Sequence, residues 1–141
     1  MAARVSEPIY TRDILRLAAS VAPYESLARA DGAAELRSPT CGSRITVAVT
    51  LEDGRVAAIA QKVEACAFGQ AAAALMADAA PGRDLADARA ALAGVEAWLG
   101  GDDAAAPFLA PLKPARSRPG RHGAILLPFR ALVAAIESAE R

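Results

Sequence analysis

The 141 residues contain only two cysteines, Cys41 and Cys66, and one histidine, His122. Two cysteines give no disulfide framework, and the chain is long enough to bury its apolar surface without staples. Charge of one sign is also missing: sixteen Lys and Arg balance sixteen Asp and Glu, so no overall field draws in nucleic acid or an anionic membrane. No run of about 18 apolar residues occurs, which argues against a membrane span. Met1 to Pro8 form no apolar secretory stretch, and the expectation is a cytoplasmic chain. Nucleophile elbow, phosphate loop, paired carboxylates and an H-E-x-x-H helix are all absent, so nothing supports an enzyme in its own right. In a reducing compartment the two cysteines are then either buried fillers or working thiols.

What the chain has in quantity is alanine. The hydrophobic fraction of 54% overstates the core, because roughly a quarter of the residues are alanine and each buries little area. The core must be built from Ile, Leu and Val with Phe68, Trp98, Phe108 and Phe129. The length suits one domain, 1–141, that buries most of its apolar surface.

Periodicity predicts the elements. Apolar residues at 14, 15, 17, 18 and 21 make a helical stripe from Ile9 to Ala22, closed by Pro23. Ala34 to Arg37 reads as an edge strand. Ile45, Val47, Val49 and Leu51 alternate with Thr46, Ala48 and Thr50, as a strand with one buried face requires. Val56 to Val63 answers it across the turn Glu52-Asp53-Gly54-Arg55, which completes a three-stranded antiparallel sheet. From Cys66 the pattern turns helical. Ala67 to Ala80 stops at Pro81-Gly82, Asp84 caps a helix through Ala93, and a further segment runs from Val95 to Leu99. The stretch of about 100–121 reads as a loop-rich insertion, and its basic residues Lys113, Arg116, Arg118 and Arg121 as a solvated linker or a docking surface. A last helix is expected from Pro128, with Phe129, Leu132, Val133 and Ile136 on one face. Helices then cover one face of the sheet, and the hairpin returns both thiols to one end of it, where they suggest a thiolate site.

The segments around these thiols resemble a known family. Pro39-Thr40-Cys41-Gly42-Ser43-Arg44-Ile45 resembles the P-x-C-G-D segment of the NifU/IscU-type iron-sulfur cluster assembly scaffolds, and most nearly the P-T-C-G-D-R form of the SufU branch. Glu64-Ala65-Cys66-Ala67-Phe68-Gly69-Gln70-Ala71 resembles the G-C-x-x-S-x-A segment, with the two cysteines 25 positions apart as in the family. Arg121 to Phe129 resembles R-x-K-C-x-x-L-P-W, and the long stretch before it also resembles the SufU branch. Two positions depart: the aspartate after Cys-Gly is Ser43, and the third cysteine falls on Ala124, or on Gly123 in the alternative alignment.

The resemblance implies an α+β fold of the SufE/NifU-like kind, with a three-stranded antiparallel sheet and helices packed on one face. It implies an assembly scaffold-like protein, not an enzyme, that holds an iron-sulfur cluster or zinc, or accepts sulfur, through Cys41 and Cys66. Its partners would be a cysteine desulfurase and cluster-acceptor proteins, with no nucleic acid and no membrane. Cys66 opens a helix, where unpaired backbone N–H groups favour a thiolate. With His122 the chain offers a Cys2His set, a water or partner ligand completing the tetrahedron. The other reading of the same departures is a degenerate paralogue, kept as a protein-interaction or regulatory module without metal. Ser43 is then a local backbone cap, His122 a solvated ring, and Lys62, Glu64 and Gln70 solvent-facing residues.

Overall fold

A computed structural model describes residues 11–21, 27, 29–39 and 42–140. Three strands, β1 (Gly32–Arg37), β2 (Arg44–Glu52) and β3 (Arg55–Glu64), form one antiparallel sheet in the order β1-β2-β3. The α+β expectation holds, with each strand extended by one or two residues beyond the range its alternation predicted. Between β2 and β3 the register closes on Glu52 opposite Arg55, and both central residues have positive φ, 54° at Asp53 and 77° at Gly54. This two-residue turn has the primed geometry whose twist suits a hairpin, and the Asp-Gly pair accepts it at low cost.

The period of two separates the faces of the sheet. Ile45, Val47 and Val49 are at most 1% exposed, and they stand opposite Leu36, Ala34 and Gly32 of β1 and Val63, Gln61 and Ile59 of β3. On this face lie α2 (Ala67–Ala79), beside β3, and α5 (Pro119–Ala139), across β1 and β2. On the opposite face Arg44, facing Glu64 at the strand ends, pairs with Glu64 and with Glu35 of β1. α3 (Leu85–Leu99) packs on α5, and α1 (Arg12–Ala18) on α2. Phe68, Trp98 and Phe129 fill the core, while Phe108 packs at its margin 5.9 Å from the Phe129 ring.

Several boundaries differ from expectation. Within the described residues the first helix is shorter, Arg12–Ala18, because Thr11 accepts the Ile14 N–H as an N-cap; Ile9, Tyr10, Ala22 and Pro23 lie outside the described residues. Leu15 of the predicted stripe is 53% exposed. The segments ending at Ala93 and beginning at Val95 are one helix, and Gly94, which read as a break, faces the backbone of Ala105. The stretch expected to be loop is largely helical, with 3-10 turns at Asp103–Ala105 and Pro107–Leu112 and then α4 (Lys113–Arg116).

The last helix begins at Pro119 rather than Pro128, and Pro128 sits inside it. The rule that proline suits a first helical turn was right but there were two prolines to choose from. An internal proline removes the N–H that would bond the carbonyl four residues back, a loss that tertiary burial offsets here: Ala124, Ile125, Leu127, Phe129, Leu132 and Ile136 are all buried. α5 is long and apolar enough to cross a membrane, yet this face of it belongs to the core.

The basic cluster is not a free linker either. Arg116 lies 4.2 Å over the Trp98 ring and pairs with Asp103 at 2.7 Å, and Lys113 reaches the same carboxylate. Cation-π stacking and ion pairing therefore use two of its four charges to clasp the segment onto α3. The Arg116 guanidinium, hydrogen-bonded to Asp103, holds that carboxyl below the usual carboxylate range.

Candidate functional site

β3 ends at Glu64, Ala65 makes the turn, and Cys66 is the N-cap of α2 with φ −66° and ψ 172°. The thiol is free and half-buried. It makes no capping hydrogen bond, and the first turn of α2 contains no acidic residue. The N–H groups at this helix start therefore have no side-chain acceptor from the N-cap, which leaves a cysteine at a polar, electropositive end. Gln70 was expected to face solvent; instead its side chain donates to the Ala65 carbonyl at 3.1 Å, and its N–H donates to the Cys66 carbonyl at 2.9 Å. Both bonds tighten the strand-to-helix turn around the thiol.

Cys41 lies outside the described residues, as does Thr40. Their flanks are described. The Ser38 N–H donates to the Ser43 carbonyl at 2.9 Å and the Gly42 N–H to the Ser38 carbonyl at 3.1 Å, so the chain reverses tightly between β1 and β2. Ser43, at the family's aspartate position, is buried, and Arg44 immediately after it stands opposite Glu64 in the register. The end of β2 next to Ser43 and the end of β3 next to Cys66 are thus the same end of the sheet.

α5 supplies the third segment. A Cβ added at Gly69 would come within 2.7 Å of the Ala65 Cβ and 3.2 Å of the Ala124 Cβ, so glycine is what lets the two helices approach this closely. Ala124, one of the two positions (with Gly123) on which the resemblance puts the third cysteine, is therefore beside the first turn of α2, and it is 1% exposed. Its carbonyl is the one that Pro128 deprives of a helical N–H. The third segment has been carried to the cysteine end of α2, but with a methyl group where a thiol is expected.

His122 is half-buried in the first turns of α5, and its Nε2 lies 2.8 Å from the Arg116 carbonyl oxygen. A carbonyl can only accept, so Nε2 is the donor, and in the neutral ring the lone pair is on Nδ1. Among the described residues no three His, Cys, Asp or Glu side chains gather as a metal centre would require. The residue that periodicity did not bring forward is Gln61. It is an inward position of β3 between Ile59 and Val63, and a polar side chain in phase with apolar ones was the available signal.

A profile of the NifU-like N-terminal domain matches residues 10–104. A crystal structure of a nitrogen-fixing NifU-like protein (N-terminal) from Brucella abortus is 33% identical, covers 94% of this chain and 94% of its own, and superposes with a TM-score of 0.82. This chain belongs to the NifU-like N-terminal domain family. The same fold recurs at 20% identity and a TM-score of 0.78 in a candidate iron-sulfur cluster assembly scaffold protein for the SUF system from Fervidobacterium islandicum AW-1, over 91% of this chain and 96% of that one. It recurs again in a hypothetical protein at 23% identity and a TM-score of 0.75, over 92% and 97% of the two chains. No curated protein matches the chain in sequence. The family match spans the positions of both cysteines and ends before Ala124.

Proposed function

We propose that this NifU-like chain is an iron-sulfur cluster assembly scaffold-like protein of the cytoplasm, whose cargo is held through Cys41 and Cys66. The observation that carries this reading is the placement of Cys66, a free thiol at an uncapped helix start, on the end of the sheet where β2 leaves the Cys41 segment. Family membership supports it. The cargo is an iron-sulfur cluster, zinc, or a single sulfur atom supplied by a cysteine desulfurase and passed to acceptor proteins. His122 is the third donor in this proposal, through Nδ1, since Nε2 is engaged with Arg116. Ala124 and Ser43 contribute no ligand, so the donor set is smaller than the family's, and sulfur acceptance asks less of it than a closed four-ligand centre does.

In sulfur acceptance a thiolate of this chain attacks the terminal sulfur of the partner's persulfide. A new S–S bond forms on the attacking cysteine, the partner's S–S bond breaks, and the partner cysteine leaves as a thiolate, with no external oxidant or reductant. Anaerobic incubation with a desulfurase and free cysteine, followed by intact mass, tests this. A gain of one sulfur atom that is lost in Cys66→Ser or Cys41→Ser supports the reading. Zinc and iron content measured in the same variants and in His122→Ala separates a metal site from sulfur carriage.

One observation favours the second reading, a paralogue acting as an interaction or regulatory module. Ala124 is packed against α2 rather than presented to a ligand. Wild-type protein that takes up neither sulfur nor metal, and whose melting temperature ignores chelator, would establish that reading instead.

A further inference from the structure

Gln61 is 2% exposed on the inner face of β3, opposite Val47. Its Nε2 donates to the Ala73 carbonyl in the middle of α2 at 2.8 Å, while its Oε1 is buried without a hydrogen-bond partner. Leaving a buried acceptor unpaired is costly, and an apolar residue of the same size would avoid the cost. The side chain is therefore a poor choice for stability alone.

The helix it holds explains what it does. Between Phe68 and Met76, α2 buries Ala71, Ala72, Ala73 and Ala74 in succession, so its middle turn meets its neighbours through methyl groups nearly all round, and such shallow ridges specify sliding and rotation weakly. The Gln61–Ala73 bond closes a loop of chain that contains the β3 end, Ala65 and Cys66. A fixed polar pairing within an apolar contact is a known means of setting register.

We infer that Gln61 is a positioning residue: by pinning α2 to β3 it sets where Cys66 stands at the end of the sheet. The inference rests on Cys66 as the working thiol of the proposed function, but its test does not depend on cargo. Gln61→Met removes the donor and the orphaned acceptor while filling the same space. The rate at which iodoacetamide modifies Cys66, followed on its peptide by mass spectrometry, is expected to rise about threefold or more as the turn loosens. Amide exchange over residues 67–71 should quicken with it, while the melting temperature stays within about 2 °C of wild type. Val47→Ala, on the strand opposite, supplies the contrast: a melting temperature lower by several degrees with the Cys66 rate unchanged.

The inference is overturned if Gln61→Met leaves the Cys66 rate at the wild-type value, or if Val47→Ala raises that rate as much. Gln61→Leu is read in the same way should Gln61→Met not fold. If the rates separate as expected but the wild-type chain accepts no sulfur and no metal, Gln61 still positions Cys66 and it is the proposed function that fails.

Discussion

Two helices that follow one another in the chain begin in opposite ways. α3 starts on a reciprocal capping box, in which Asp84 accepts the Asp87 N–H at 2.8 Å and Asp87 accepts the Asp84 N–H at 3.2 Å. Its hydrogen bond from the Asp87 backbone holds the Asp84 carboxyl below the usual carboxylate range. α2 starts on Cys66, with no side-chain cap and no acid in its first turn. At α3 the unpaired N–H groups are satisfied for stability; at α2 a residue with weak capping ability occupies the place where Ser, Thr, Asp or Asn would bring more. The difference teaches that the N-cap side chain does not secure the α2 start as it does the α3 start, which agrees with the proposed use of the Cys66 sulfur.

The strongest way to break this comparison is Cys66→Ser. Sulfur uptake by that thiol should vanish in the mass spectrum while the folded state gains about 0.5–1 kcal/mol from the new cap, read by denaturant midpoint. A loss of stability instead would mean that the cysteine is there for packing. Next in size is Gly69→Val. The side chain has no room between Ala65 and Ala124, and the expected cost is about 1–3 kcal/mol in equilibrium unfolding, with Cys66 displaced relative to α5. Asp84→Ala removes the box at α3 and should lower the melting temperature by a few degrees without changing the Cys66 alkylation rate. A coupled change would show that the two helix starts are not independent.

The smallest effect is in pH. Because the folded-state pKa of Asp84 is depressed, its contribution is present above the unfolded carboxylate value and is lost as pH falls through the lower folded value. The stability difference between wild type and Asp84→Ala should therefore be constant near neutrality and shrink below about pH 4, as parallel acid titrations of unfolding would register. A difference that persisted in acid would assign the cap to packing rather than to the carboxylate.

Much of this site end was legible in the residues because its signals are local. Alternation from Ile45 to Leu51, the Asp53-Gly54 turn and the alanine run after Cys66 each specify an element through its own neighbours, and the family resemblance lay in segments next to those elements. The stretch from Asp102 to Gly120 was harder. Its four prolines weaken local helical preference, and its turns are secured by Trp98 and Asp103 through Arg116 and by burial of Leu109 and Leu112, contacts that no local pattern announces. Pro128 misled for the same reason, since only the packing of α5 over the sheet keeps a proline inside a helix.

The order of strands, the hairpin register that brings the two cysteine-bearing turns to one end, and the identity of the departures at Ser43 and Ala124 were all determined by the sequence, because each depends on residue type at fixed spacing. Tertiary structure alone decided that Ala124 stands beside Gly69, that His122 gives its Nε2 to Arg116, and that Gln61 reaches across to Ala73. Those are meetings between residues distant along the chain or on different elements, and they follow from how the helices settle against the sheet and each other rather than from any periodicity within one element.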